Sequence, residues 1–481
     1  MDVGRSLSQY LGWLSTWRQG EGIYGGLHIH PCWRVSSVLE RRYQGPTVSE
    51  YCGLIRGFLN LYEKTGEDRF LRECILMADF LRSLQDPDGC FEHSVYEFEP
   101  GRGGCIHNAL ADVGLLSLCF VLAEEELDPE PYLEAVRRNF DWFMKSWWKR
   151  GNSWLKNPSF PCWCGVTNQD LAVCWAMLLY AELKDSRYWE NYGRLVADWY
   201  LENYFLPEYG CFYRGDAEDF PEPAAYTGLI VYELLNMYQF TKDSLYLKTA
   251  LGCLDYLKRG AWRDNYGFLR IHHNIDLETG VLEEKPSLIT QGPLISGLQL
   301  LEEINVQEYT SFKKELLKTL LFYQSGRGYF RNSTDHENLF DIVARICPGE
   351  LEALTLVWRG GKLPVVEEKY DVGIDFSGGY FWIDSDSYWE LYYRDSVVSG
   401  VKREPNGIKS GSLLKNVKRL EFREDSIYLE LSKPISVSLD YVIDEETSVL
   451  VKCPRGTRIR VKRSSGEVAE YELEGGESEV L

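Results

Sequence analysis

The chain has 481 residues, more than one hydrophobic core usually accommodates, so two domains are expected. Its formal net charge of −21, with no long Lys/Arg block, argues against a nucleic-acid partner, and no run is expected to span a membrane. Without a basic, signal-like start the expected compartment is cytoplasmic, where most of the 13 cysteines are expected as reduced core thiols.

Leu11, Leu14 and Trp17 mark a first helix. From Tyr51 the chain reads as a helical hairpin. Leu54, Phe58 and Leu61 recur at helical spacing, TGED turns the chain, and Phe70, Cys74, Met77 and Leu81 resume the spacing. Gly66 suits the end of the first helix, and Glu67 and Asp68 the start of the second. The same plan returns from Asn108, Gln169, Tyr226 and Gln291. These five hairpins, with one helix before Gly20 and one after Ser333, predict a closed, all-α (α/α)6 toroid of twelve helices over residues 1–360. Alternate helices are rich in small residues such as Gly53, Gly57, Gly114 and Gly228, as a crowded inner ring requires. Turns from inner to outer helices are short. The returns (Gly20 to Thr47, Asp86 to Ile106, Gly260 to Leu288) are long and aromatic, which places a functional face above the N-termini of the inner helices. Over residues 361–481, short alternating runs such as SIYLELS and RIRVKR predict a smaller C-terminal antiparallel β domain.

GLIRGFLNLYEKTGEDRFLREC, LVADWYLENYFLPEYGCF and YTGLIVYELLNMYQFTKDSLYLKTAL resemble the hairpins of the six-hairpin glycosidase-like superfamily. The resemblance spans the helical part of the chain. It implies a carbohydrate bound at the loop face and an enzyme that hydrolyses, eliminates or epimerises. No catalytic motif of a single member matches, so no residue role carries over and the reaction stays open.

All seven histidines fall on the long-loop face or in the first turns of inner helices. His107 opens an inner helix, where the positive helix end favours a neutral imidazole able to take a proton from a sugar carbon, although simple capping also explains it. His272 and His336 are further candidates. Asp170 lies in an early helical turn, and Glu222 in the next loop is expected to face it, as a hydrolase's carboxyl pair requires. Asn168, Gln169 and Gln291 at inner-helix starts, with Trp33, Trp163, Arg214 and Arg270, are the expected substrate-binding residues. Arg102, Arg214, Arg263, Arg270, Arg327 and Arg331 recur where a carboxylate could dock, which points to a uronic-acid-containing oligosaccharide. Cys90, His93, Cys105 and His107, and Cys162 with Cys164, lack a known zinc spacing, so neither metal nor cofactor is expected. A monomer or homodimer is expected. The competing classes are a non-catalytic carbohydrate-binding scaffold and an isoprenoid enzyme of the terpene-cyclase or prenyltransferase kind, which would need an apolar bore.

Overall fold

The computed structural model describes residues 2–15, 18–24, 48–91, 105–146, 148–149, 154–155, 165–215, 218–264, 266–272, 277, 291–326, 328–330 and 348–365 of the helical part. Beyond these it describes 372–377, 380–385, 388–393, 396–404, 407–411, 416–422, 425–443, 446–463 and 465–480. Among the described residues there are twelve α-helices. The first, α1, is Val3–Ser15. Five pairs follow: α2 Glu50–Thr65 and α3 Asp68–Ser83, α4 Cys105–Glu124 and α5 Glu130–Ser146, α6 Thr167–Leu183 and α7 Arg194–Asn203, α8 Ala224–Thr241 and α9 Ser244–Arg259, α10 Gly292–Glu303 and α11 Thr310–Phe322. The last, α12, is Pro348–Val357.

The even-numbered helices pack side by side in sequence, and α12 closes on α2 with α1 beside it, so the ring is shut. Inner helices such as α4 and α6 are apolar on nearly every face because one face meets the bore and the rest meet neighbours. One consequence corrects the expectation about membranes. Helix α4 is long and apolar enough to cross one, yet it packs as an inner stave of the ring.

Turn chemistry ends the hairpins where the sequence placed them. Gly66, at φ 67°, gives its N–H to Tyr62 at 2.7 Å, and the Asp243 carboxylate accepts from the Leu245 N–H at 2.9 Å to start α9. Two outer helices end in the same clasp. Gln85 and Gln324 donate to the carbonyls of Gly89 and Gly328, each at 2.9 Å, and pair with the fully buried Phe91 and Phe330. A Cβ at Gly89 or Gly328 would lie 2.1 or 2.2 Å from a carbonyl oxygen of the neighbouring outer helix, so only glycine lets these chains nest. Phe91 and Phe330, at the ends of these two hairpins, therefore pack the ring.

Small hairpins decorate the mouth: β1 Arg18–Gly20 with β2 Ile23–Tyr24, β3 Trp148–Lys149 with β4 Trp154–Leu155, β5 Phe205–Leu206 with β6 Cys211–Gly215 and β7 Glu218–Pro221, and β8 Ala261–Arg263 with β9 Leu269–Ile271. The C-terminal strands follow: β10 Val372–Ser377, β11 Tyr380–Ser385, β12 Tyr388–Tyr393, β13 Ser396–Glu404, β14 Gly407–Gly411, β15 Val417–Phe422, β16 Ser426–Leu431, β17 Ser436–Ile443, β18 Ser448–Cys453, β19 Thr457–Arg463, β20 Val468–Leu473 and β21 Gly476–Val480. They form an eight-stranded sheet, β14-β13-β12-β11-β10-β17-β19-β20, and a four-stranded sheet, β15-β16-β18-β21. Val437, Leu439, Ile459 and Val461 of one meet Leu429, Leu431, Val449 and Val451 of the other, a sandwich core built on period-two alternation. Most pairs are antiparallel, as expected. Three are parallel (β10·β17, β17·β19 and β16·β18), because the chain alternates between sheets from β16 to β19 and so returns to each in the same direction.

Candidate functional site

Inner helices point their N-termini, and outer helices their C-termini, to the same end of the ring. The sequence candidates at that end have separate partners. Half-buried His107 sits in the first turn of α4 with Nδ1 2.8 Å from Ser49 Oγ. Asp170 is fully buried between the rings, where Tyr200 of α7 donates to Oδ2 at 2.8 Å and Cys105 Sγ lies 3.8 Å from Oδ1. Glu222 is ion-paired with Arg214, whose Nη1 also reaches Asn168 Oδ1 at 3.3 Å and whose guanidinium lies 4.4 Å from the Tyr226 ring centroid. Gln169 and Gln291 are buried at the starts of α6 and α10. Arg270 pairs with Asp264 at 3.6 Å, and His272 stacks on Trp262 at 5.3 Å. His336, Trp33 and Trp163 lie outside the described residues, as do Arg102, Arg327 and Arg331.

The arginines expected to dock a carboxylate meet acids of the chain itself: Arg214 with Glu222, Arg270 with Asp264, and Arg263 with Glu315 at 3.1 Å. Among the described residues, no three of His, Cys, Asp and Glu are placed to share a metal ion.

Deeper in the bore, five of the six inner helices meet at one rung that the sequence reading missed. Arg56 of α2 donates from Nε to Glu352 Oε1 of α12 at 2.5 Å, from Nη1 to Ser117 of α4 at 3.0 Å and from Nη2 to Tyr232 of α8 at 2.5 Å. The Tyr232 hydroxyl donates to the same Glu352 oxygen, and the guanidinium lies 4.9 Å from the centroid of Trp175 on α6. The Arg56 side chain is 17% exposed and that of Glu352 7%, so this rung borders space that water can enter although it lies inside the ring. Burial opposes the charge on Arg56, but Glu352 outweighs it and keeps the guanidinium protonated. Burial, against the pull of Arg56, keeps the Tyr232 phenol protonated. Further along the bore, Phe120 of α4 and Phe240 of α8 stack across it, with centroids 5.9 Å apart.

A signal for this rung was present. Arg56 is the one charge in the apolar run GLIRGFL of an inner helix, and Glu352 lies with Glu350 in GELEALTL at the start of another, and such residues are rarely buried unless paired.

Two further carboxyls, Asp112 and Glu233, are fully buried, and among the described residues neither makes a hydrogen bond. Burial raises Asp112 well above the usual carboxylate range. Burial first, and the negative charge of Glu222 second, do the same to Glu233. Each folded-state group keeps a proton that the unfolded chain loses above its ordinary value of 3.8 or 4.5. Stability therefore falls as pH rises from that value to the raised one, by about 1.4 kcal/mol per pH unit per group. Asp112→Asn should match the parent near pH ~4 and grow progressively more stable than it toward pH ~8 in urea titrations. A difference that does not vary with pH would mean that Asp112 ionises normally in the fold.

No known family's sequence profile matches the chain, and comparison with curated proteins gives no match. Solved structures do match. D-mannose isomerase superposes with a TM-score of 0.56 at 11% identity, over 74% of this chain and 96% of that one. Cellobiose 2-epimerase from Bacillus thermoamylovorans gives 0.55 at 13%, over 74% and 97%. An unsaturated glucuronyl hydrolase specific for heparin gives 0.51 at 13%, over 74% and 96%. The chain shares the fold of these three proteins, and the matched share is the size of the helical ring.

Proposed function

We propose that the protein is a carbohydrate-active enzyme that hydrolyses a glycosidic bond in the mouth of the toroid, with Glu352 as the reacting carboxylate. The observation that carries this reading is a carboxylate at the centre of the bore, oriented by Arg56 and Tyr232 and bordering space that water can enter. A carboxylate paired with a guanidinium suits attack at an anomeric carbon, or removal of a proton from a water that attacks it, with the leaving oxygen taking its proton from water in the same space. The structural neighbours named above, an isomerase, an epimerase and a hydrolase of sugars, support the general class. The polar rung counts against an isoprenoid enzyme, and a binding scaffold has no need of a buried ion pair there.

Pairing of Arg214, Arg263 and Arg270 with acids favours a neutral sugar over the uronate expected from sequence, because a docking carboxylate would have to displace an internal one. Tyr226 and Phe220, 39% and 47% exposed beside the Arg214–Glu222 pair, offer faces for a sugar ring. Tyr226→Ala should raise KM about tenfold with kcat nearly unchanged, the size of one lost aromatic contact. An unchanged KM would remove Tyr226 from the substrate path.

Epimerisation is the second reading, favoured by the Ser49–His107 contact, since an oriented imidazole suits proton abstraction from carbon. The deciding experiment incubates the protein with matched neutral and uronate oligosaccharides at low and moderate salt and follows reducing ends, double bonds and epimers. Hydrolysis predicts new reducing ends, greatest with the neutral set. Epimers without cleavage, or cleavage products that carry a new double bond, contradict it.

A further inference from the structure

We propose that the β domain supports the sugar site from behind, with Lys462 as a positioning residue that holds the β8–β9 hairpin, and the Trp262–His272 stack on it, at the mouth. This rests on the reading of the toroid mouth as a sugar site. Lys462 of β19 is buried, donates from Nζ to the Phe322 carbonyl at the end of α11, and lies 4.6 Å from the Phe322 ring centroid. A cation at a helix C-terminus is favourable for both the exposed carbonyl and the helix dipole, and the ring face adds a cation–π contact. The turn after β19 makes a second contact, since a Cβ at Gly466 would lie 3.3 Å from Phe322 Cε2.

From Phe322 the contacts run into the hairpin. Phe322 stacks on Phe268 with centroids 3.9 Å apart and planes 21° apart. Its neighbour Tyr323 donates to Asp264 Oδ2 at 2.6 Å, while Asp264 Oδ1 accepts from the N–H groups of Tyr266 and Phe268 at 3.0 and 2.9 Å. Arg270, paired with Asp264, lies 5.3 Å from the Tyr323 ring and sits opposite Trp262 in the strand register. Trp262 then stacks on His272 with planes 26° apart. The hairpin leaves the C-terminal end of α9 and leads toward the start of α10, which puts it at the mouth. A two-strand hairpin is marginal alone, so its position depends on what it packs against.

The test compares Lys462→Met, which keeps the stem and removes the cation, with Lys462→Arg, which keeps a cation. Amide exchange and steady-state kinetics on the cleaved oligosaccharide are read together. The Met variant should exchange about tenfold faster over residues 261–272, with α6 and α8 unchanged. Its KM should rise several-fold with kcat held within about twofold, and Arg should restore both. Unchanged exchange, unchanged KM, or losses that track only unfolded protein would overturn the proposal. If the parent turns over no sugar, the hydrolase reading fails separately, and exchange alone decides whether Lys462 holds the hairpin.

Discussion

Glu352→Gln should lower turnover by about 10²- to 10⁴-fold, the usual contribution of a positioned acid or base. Glutamine keeps the shape and can still accept from Arg56 and Tyr232 through its carbonyl, so the loss reports the charge and not the space. Removing that charge leaves Arg56 without its counter-ion, which weakens the fold as well. Glu352→Asp separates the two effects, since it keeps the ion pair within reach while withdrawing the carboxylate. It should fold normally by thermal denaturation and still lose most of its kcat. Turnover near the parent value in both variants would show that Glu352 only braces the ring.

Arg56→Met should cost about 3–5 kcal/mol of stability, because it strands the Glu352 charge in the bore and cuts hydrogen bonds that join α2 to α4, α8 and α12. The sign of a second change identifies the cause. Adding Glu352→Leu removes the stranded charge, so the double variant should recover much of the loss although it makes fewer polar contacts. Urea titration of the parent, both single variants and the double variant measures this coupling. A loss under about 1 kcal/mol for Arg56→Met would place the pair in a solvated environment.

How much of this was legible beforehand follows the physics. Helical spacing, short turns at TGED and TKDS and the small residues of alternate helices are local signals, and they located the ring and its open face. The mixed strand directions of the β domain were hidden, because pairing between non-consecutive strands leaves no mark in either run. At the site, the reading found residues that open helices, where loops and helix ends advertise themselves. It named Asp170 and Glu222 without their partners, Tyr200 and Arg214, because what a first-turn residue meets depends on the neighbouring outer helix and hairpin. Arg56, Tyr232 and Glu352 lie 176 and 120 residues apart in sequence and meet only when the ring closes. The Arg56 charge within an apolar run was a local mark, and its partners left none.

The most direct test of the site is a crystal structure of the Glu352→Gln variant with an uncleaved neutral oligosaccharide. The account predicts a sugar in the mouth, one ring against Tyr226 and an anomeric carbon about 3–3.5 Å from the side chain at 352, either directly or through one water. An oligosaccharide bound on the β sandwich or the outer ring, with the bore unoccupied at concentrations that saturate binding in solution, would contradict it.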